Sequence, residues 1–91
     1  MNWQVYIILC ADDSLYTGIT TDVDRRFAEH AAGNGAKYFR GRTPLRVVYR
    51  EDGHDRRTAA RREAKIKRLR PDAKRRLIAS PCNLVKGDLE G

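Results

Sequence analysis

The apolar run near the N terminus is the feature that most constrains the fold. Residues 3–10 read WQVYIILC, and both alternating sets of positions in this run are largely apolar. A strand presents alternate residues to opposite faces of its sheet, so a strand that is apolar on both faces must be covered on both. A chain of 91 residues holds one domain. We therefore expect residues 3–10 to form the central strand of a single small sheet.

The remaining elements are predicted from helix caps, turn chemistry and β-forming residues. Asp22 and Asp55 stand where helix N-caps are expected, Gly33-Asn34-Gly35 ends the first helix, and Pro71 begins the last one. Strands are predicted over 3–10, 15–20 and 44–49, with a turn at 51–53, and helices over 23–32, 56–69 and 71–78. The sequence therefore predicts an α/β (α+β) domain, a small three-stranded antiparallel sheet flanked by helices in the order β-β-α-β-α-α.

Basic residues are concentrated in one part of the chain. Residues 54–78 hold 11 basic and 3 acidic residues, whereas residues 1–53 hold 7 of each, and the whole chain carries a net charge of +7. A basic block on predicted helices indicates binding to a phosphate backbone. A solvated helix face that keeps the protein in solution has the same composition, so this alternative stays open.

The composition also excludes classes of protein. With 41% hydrophobic and 34% charged residues, the chain is too apolar for a disordered tail and too charged for a membrane protein. It contains no apolar run of about 18 residues, and its N terminus lacks the features of a signal peptide. Cys10 and Cys82 fit no metal-binding spacing, so we expect two reduced thiols in a cytoplasmic protein.

The long basic helix carries one acidic residue, Glu63, within its predicted apolar face. At 100° per residue Glu63 falls about 40° from Ala59. The other residues assigned to this face are Ala60, Ala64, Ile66 and Leu69. A carboxylate that is partly buried needs a cation. Glu63 can therefore pair with an arginine, or it can hold a hard divalent cation whose shell is completed by water and a substrate phosphate.

The first helix places a cation and a titratable group on one side of its apolar stripe. Val23, Phe27 and Ala31 form the stripe, and Arg26 and His30, four residues apart, flank it. Taken singly, His30 reads as an ordinary half-buried histidine and Arg26 as an ion-paired arginine. Taken together, they can face the sheet as catalytic groups.

The two tyrosines of the predicted hairpin, Tyr6 and Tyr16, share a face only in some registers. A connecting loop with an even number of residues puts them on opposite faces. A three-residue loop at 12–14, or a bulge at Gly18, puts them on one face. Gly18 is a weak strand residue, so it indicates either a bulge or a close approach of another group to its backbone.

The loop over 37–42 combines basic and aromatic residues. Lys37, Arg40 and Arg42, together with Lys67 of the long helix, are candidate phosphate-positioning groups. The aromatic pair 38–39 can stack on an exposed base or anchor the loop to the core. No helix carries an obvious set of Asn or Gln base readers, so we expect little sequence specificity.

In this order and spacing, the candidate residues resemble the GIY-YIG nuclease superfamily, and in particular its small single-domain bacterial members. The resemblance covers nearly the whole chain, with residues 1–80 as the nuclease-like domain and 81–91 as a C-terminal tail that can pack on it. It rests on Gln4-Val5-Tyr6, Tyr16-Thr17-Gly18, Arg26 and His30 within DVDRRFAEH, and Glu63 within RREAKIKRL.

The resemblance implies a role for each matched residue. Glu63 looks like the single metal-binding glutamate, and Arg26 looks like the arginine that contacts the scissile phosphate. Tyr6 and Tyr16 look like the motif tyrosines that orient or activate water and line the site. His30 matches a further active-site position, and it is an alternative to tyrosine as the base.

Some motif positions depart from the family pattern. Gln4 stands where the family usually has glycine, and Val5 stands where it usually has isoleucine. Thr17 stands where isoleucine or valine is usual. Gly18 matches the motif glycine, where backbone comes close to substrate or to a helix, and Ile19 follows it where some members have lysine. Asn83 is the only residue that could match a late asparagine found in some members. These departures bear on the strength of activity, not on the fold.

The sequence therefore predicts a metal-dependent endonuclease that hydrolyses DNA phosphodiester bonds with one Mg²⁺ or Mn²⁺ ion, in DNA repair or recombination. A non-catalytic nucleic-acid-binding module on the same fold is the alternative. A protein-interaction domain that docks an acidic partner through its basic helix is a third possibility. Neither a membrane nor a small-molecule cofactor is expected.

Overall fold

The strand apolar on both faces is indeed central. In the computed structural model, which describes residues 2–85, three antiparallel strands lie in the order β2-β1-β3. The strands are β1 (Trp3–Cys10), β2 (Leu15–Thr20) and β3 (Pro44–His54), and the helices are α1 (Val23–Ala31), α2 (Arg56–Lys67) and α3 (Pro71–Ile78). The predicted order β-β-α-β-α-α and the α+β class are confirmed. A short 3-10 helix over Lys37–Phe39 lies between α1 and β3.

The β1–β2 hairpin determines whether Tyr6 and Tyr16 point to the same face of the sheet. Its turn has three residues, Ala11 to Asp13, one position earlier than the loop at 12–14 considered from the sequence. It is closed by a hydrogen bond from the Cys10 N–H to the Ser14 carbonyl (2.9 Å), and Asp13 has a positive φ of 71°. Tyr6 pairs with Gly18, and the β1–β2 pairing runs through without a bulge. Tyr6 and Tyr16 therefore point to the same face.

Strand β3 is longer than predicted. The turn expected at 51–53 is wrong, because these residues continue the strand as far as His54. Gly53 has a positive φ of 83°, and the register with β1 shifts between Trp3 and Val5. An irregularity at a glycine lets a strand continue past residues that have turn chemistry.

Each face of the sheet is covered by a separate group of side chains. On one face α2 packs on the apolar cluster Val5, Ile7, Val48, Tyr49, Ala59 and Ile66. On the other face α1 and the 3-10 helix complete the cluster Tyr6, Ile8, Cys10, Val23 and Phe39. These two surfaces are called the α2 face and the α1 face below.

The buried stripes of both long helices are narrower than predicted. On α2 only Ala59 and Ile66 are buried, and the expected face members Ala60, Ala64 and Leu69 are exposed. On α1 Ala31 is exposed, whereas His30 is only 1% exposed. A nine-residue helix on a three-stranded sheet buries little more than the one line of side chains nearest the strands.

The segment after α3 is held against β3 by Asn83. Its side-chain amide donates to the Val48 and Ile78 carbonyls (2.8 Å each). Its side-chain oxygen accepts from the Arg50 N–H (3.1 Å). These bonds use its side-chain donors and its oxygen within the fold, so Asn83 has a structural role in this segment. Residues 86–91 of the predicted tail lie outside the described residues.

Both cysteines are free, with Cys10 buried and Cys82 exposed. Among residues 2–85, no helix combines the length and the apolar character needed to cross a membrane.

Candidate functional site

A hydrogen bond between Tyr6 and His30 lies at the centre of the α1 face. The Tyr6 hydroxyl is 2.9 Å from His30 Nε2. The other ring nitrogen, Nδ1, accepts the Ala36 N–H at 3.2 Å. Because Nδ1 accepts, it carries no proton, and a neutral ring must carry its proton on Nε2. His30 therefore donates its Nε2–H to the Tyr6 oxygen, and the Tyr6 hydroxyl proton stays available for another acceptor.

Two glycines create the space for this pair. A Cβ at Gly35 would overlap His30 Nδ1, so the Gly33-Asn34-Gly35 segment can fold closely over the imidazole. A Cβ at Gly18 would lie 2.5 Å from the Tyr6 hydroxyl oxygen. The close approach expected at Gly18 is thus made by the Tyr6 ring, which leans from β1 across β2.

Burial shifts the pKa values of both partners. It lowers the pKa of His30 to about 4, and the neighbouring Arg26 charge acts in the same direction. His30 is therefore neutral at pH 7, as its acceptor nitrogen requires. Burial and the nearby Tyr16 raise the pKa of Tyr6, whereas the Arg26 guanidinium opposes this rise. In the free protein Tyr6 is a neutral phenol.

Arg26 and Glu63 approach Tyr6 from opposite sides of the sheet. Arg26, on α1, is one-third exposed and donates to Glu29 Oε1 at 2.9 Å. Glu63 comes from α2, on the other face of the sheet, and its charge raises the pKa of Tyr6 only as the smallest of several contributions. The structure thus brings Tyr6, Tyr16, Arg26 and His30 together on the α1 face, whereas Glu63 is carried by α2.

Among the described residues the carboxylate of Glu63 has one cationic partner. This carboxylate is 23% exposed and lies 3.2 Å from the Lys67 ammonium, so its partner is a lysine rather than the arginine considered from the sequence. No group of three or more His, Cys, Asp or Glu residues in the described chain converges as a metal cage. One carboxylate facing water suits Mg²⁺, which retains several waters and takes few protein ligands.

The aromatic loop packs against this site. Phe39 is 7% exposed, and its ring centroid lies 4.4 Å from that of His30, so it anchors the loop and cannot stack on a nucleic-acid base. Tyr38 is partly exposed and lies 5.1 Å from the Tyr16 ring. The Arg42 guanidinium covers Tyr38 and pairs with Asp12 at 3.1 Å.

The candidate phosphate-positioning residues differ in whether their charges are already held in ion pairs. Lys37 and Arg40 are exposed. Arg42 and Lys67 are held in the ion pairs with Asp12 and Glu63, so nucleic acid would have to compete for them or share them. Exposed ion pairs of this kind are weak, at most about 1 kcal/mol, so such exchange costs little.

Two further residues of this region, Gly35 and Arg50, are not evident from the sequence. Gly35 has only the signal of a helix stop, because its contact with His30 depends on how the loop folds back. Arg50 is the partner of Tyr6 on β3, so both side chains point to the α1 face. Neither residue belongs to a recognisable motif. The position of Arg50 beside Tyr6 follows only from the register between β1 and β3.

The fold and this cluster of side chains define a GIY-YIG type catalytic domain, and comparison with known proteins agrees. The GIY-YIG catalytic domain matches residues 2–76, and the chain belongs to this family. Within it the chain is similar to the UPF0213 proteins. It is 53% identical to that of Natronomonas pharaonis, covering 82% of this chain and 88% of the relative.

Two further relatives support the same grouping. UPF0213 protein YhbQ of Escherichia coli is 47% identical, over 92% of this chain and 84% of its own length. The solution structure of the UPF0213 protein from Bacillus halodurans is 46% identical and superposes with a TM-score of 0.58, covering 90% of this chain and 87% of that one. The expected membership of the GIY-YIG superfamily, as a small single-domain protein, is confirmed.

Proposed function

We propose that this protein is a metal-dependent endonuclease that hydrolyses DNA phosphodiester bonds. The observation that carries the proposal is the Tyr6–His30 hydrogen bond, in which His30 Nε2 donates and leaves the tyrosine proton free. Arg26 lies beside this pair, and α2 carries Glu63. A buried phenol with an unused hydrogen bond, next to a cation and a carboxylate, is suited to act on a phosphodiester and its attacking water.

Tyr6 is the proposed base, acting as the phenolate that forms when its hydroxyl proton is released to solvent, and His30 is its positioning partner. With Nδ1 held by the Ala36 N–H, His30 has no free acceptor nitrogen to take a proton from water. Its Nε2–H instead stabilises negative charge on the Tyr6 oxygen. Arg26 acts in the same direction, because its charge lowers the pKa of Tyr6. Tyr16, in ring contact with His30, lines the site.

The remaining roles concern charge on the substrate. Arg26 would hold a non-bridging oxygen of the scissile phosphate. One divalent ion, Mg²⁺ or Mn²⁺, would be held by Glu63 with water and a phosphate oxygen, and would neutralise charge on the leaving 3′ oxygen. Lys37, Arg40, Arg42 and Lys67 would position the flanking backbone, with Gly18 providing the close backbone approach beneath Tyr6. A role in DNA repair or recombination in the cytoplasm completes the proposal.

The second candidate function is a non-catalytic nucleic-acid-binding module. It is favoured by the raised pKa of Tyr6, which leaves the phenol protonated at neutral pH unless further positive charge reaches it. In this alternative the basic groups bind nucleic acid and no bond is cleaved.

A cleavage assay separates the two. Duplex, single-stranded and branched DNA are incubated with Mg²⁺ or Mn²⁺ and with an EDTA control, using wild type, Glu63→Gln and Arg26→Ala. Asp72→Asn and Arg57→Ala, at exposed helix positions, are the matched controls. Metal-dependent cutting that Glu63→Gln and Arg26→Ala lose and the controls keep supports the endonuclease. Binding by all variants without cutting of any substrate supports the binding module.

A further inference from the structure

A polar pocket opens beside Tyr6, at the N-terminal end of α1. Its volume is about 530 Å³. The lining residues that matter here are Asn2, Gln4, Thr21, Asp22, Arg25 and Arg50. None of them was a candidate site residue in the sequence, and none takes part in the proposed chemistry at Tyr6.

The register of the sheet ties this pocket to the site. Gln4 precedes Tyr6 by two residues on β1, so both side chains point to the α1 face, about 7 Å apart along the strand. Arg50 is the direct partner of Tyr6 on β3. The pocket therefore begins one side chain away from the proposed base, at a separation close to that between neighbouring nucleotides.

Gln4 is the strongest sign that the pocket binds a ligand. Its side chain is only 7% exposed, and its amide makes no hydrogen bond to another residue within 2–85. Within 2–85 only the Thr17 hydroxyl is both fully buried and without a partner, so the Gln4 amide is not sealed from the pocket that it lines and can bond to a group that enters it. Asn2 adds a second amide, whose oxygen accepts the Gly53 N–H at 2.9 Å and whose NH₂ group is left for a ligand.

The charges of the pocket favour an anion. Arg50 forms no ion pair within the described residues, and Arg25 has a long contact of 3.7 Å with Glu29. The carboxylate of Asp22 is the opposing charge, and it caps α1 by accepting the Arg25 N–H at 3.0 Å. Two guanidinium groups thus face one carboxylate that is already engaged.

The backbone of Arg50 is also held rigidly. Its N–H donates to the Asn83 side chain at 3.1 Å, and its carbonyl accepts the Leu84 N–H at 2.9 Å. With β1 on one side and residues 83–84 on the other, the backbone that carries this guanidinium is fixed from both directions. With this backbone fixed, only the side-chain torsions of Arg50 remain to be ordered when it binds phosphate.

We propose that this pocket is a nucleotide subsite, which binds the substrate nucleotide next to the scissile phosphate. Arg25 and Arg50 hold its phosphate, and the amides of Gln4 and Asn2 form hydrogen bonds with the edge of its base. The inference rests on the proposed function and deepens it. It assigns a base preference at one position, whereas the sequence predicted little specificity. A glutamine amide that reads a base edge discriminates by about tenfold.

The kinetic test uses the full chain and a matched pair on β3. Arg50→Ala should raise the KM for an oligonucleotide about tenfold with kcat nearly unchanged, whereas Arg46→Ala, exposed on the same strand, should match wild type. Gln4→Met, which keeps the side-chain volume, should flatten the base preference measured on an oligonucleotide with one randomised position. Equal KM for Arg50→Ala and Arg46→Ala, or an unchanged preference in Gln4→Met, would overturn the subsite.

A binding test separates this inference from the nuclease proposal. The four deoxynucleoside 5′-monophosphates and inorganic phosphate are titrated into Glu63→Gln, and amide shifts are followed by NMR. The subsite predicts shifts at Gln4, Arg25 and Arg50, with different affinities for the four bases. If these appear although wild type cuts no DNA, the nuclease proposal fails and the subsite stands. If inorganic phosphate binds as tightly as every nucleotide, or if the shifts appear at other residues, the nucleotide subsite is wrong. The pocket would then be a surface patch that binds anions without specificity.

Discussion

The two faces of the sheet each bury a tyrosine beside a histidine-containing polar cluster, but the two clusters are satisfied to different degrees. On the α2 face the Tyr49 hydroxyl donates to Glu51. The same carboxylate meets His54 Nε2 at 2.7 Å and Arg62 Nε at 3.0 Å. Donors, acceptors and charges are paired within the cluster, so it needs nothing from outside.

The cluster on the α1 face lacks such a carboxylate. Within residues 2–85, Tyr6 receives one hydrogen bond from His30 and its own proton has no acceptor. The amide of Gln4 in the neighbouring pocket likewise makes no hydrogen bond to another of these residues. Burial raises the pKa of Tyr49 to about 12 and also raises that of Tyr6. A shifted tyrosine pKa therefore does not distinguish the faces. Unused hydrogen-bonding capacity does, and it is the reason for proposing the ligand site on the α1 face.

Removing the hydroxyl group from each tyrosine should give the largest contrast between the two faces. Tyr6→Phe should reduce cleavage at least about 100-fold, because a group acting in proton transfer is lost. Tyr49→Phe should leave cleavage near the wild-type level and lower the free energy of unfolding by about 1 kcal/mol, the usual loss for one hydrogen bond. The measurements are kcat and urea unfolding. Equal loss of activity in the two variants would contradict the assignment of separate roles.

Acidification should weaken the α1 face before the α2 face. His30 has a pKa of about 4 in the folded protein and about 6.5 when unfolded, so the unfolded chain binds more protons between these values. Stability from neutral His30 is complete above about pH 6.5 and falls as the pH drops towards 4. The full loss is roughly 3 kcal/mol.

The contribution of Glu51 to the stability of the fold is lost at a lower pH than that of His30. Burial raises the pKa of this carboxyl, but the hydrogen bonds from Tyr49 and His54 and the Arg62 charge outweigh it, and the net shift is downward. Its stabilisation is therefore present above the ordinary value of 4.5 and is lost below it. Urea unfolding from pH 7 to 4.5 should show a slope in wild type that His30→Gln lacks. An NMR titration in which the His30 ring titrates near 6.5 would refute the buried neutral state.

The contrast between the faces also explains what could be predicted from the sequence. The central position of β1 follows from apolar residues at both parities, and the helix starts follow from Asp22 and Asp55. Their side chains accept the N–H of Arg25 and Thr58, as N-caps do. These are local signals in the sequence. The residues that match the family motifs are also local signals, because residue type and spacing along the chain are enough to find them.

The parts that escaped prediction depend on contacts between distant segments. The shared face of Tyr6 and Tyr16 depends on the turn having three residues and not an even number, which the sequence left open. The proton position on His30 depends on the loop that brings the Ala36 N–H to the imidazole. The continuation of β3 past Glu51 depends on pairing with β1 and on the irregularity at Gly53. Spacing along the chain carries no information about these contacts.

Neutralising Glu51 should test whether the α2 cluster is structural. Glu51→Gln removes the charge that Arg62 and His54 share, while it keeps the side-chain shape. Because the carboxylate is only 15% exposed, we expect a loss of about 2 kcal/mol in the free energy of unfolding. Cleavage by the folded fraction should stay unchanged. Asp72→Asn, which breaks an exposed pair with Arg76, is the control and should cost under about 0.5 kcal/mol.

The smallest expected effect concerns the one imperfection of the α2 face among the described residues. Thr17 is 2% exposed, and its hydroxyl oxygen has no hydrogen-bond partner. Thr17→Val replaces this hydroxyl by a methyl group of similar size, so it removes a desolvation cost without opening a cavity. We expect a gain of about 1 kcal/mol in urea unfolding with cleavage unchanged. A loss of stability would mean that the hydroxyl is satisfied after all, for example by a buried water, and the α2 face would then be fully paired.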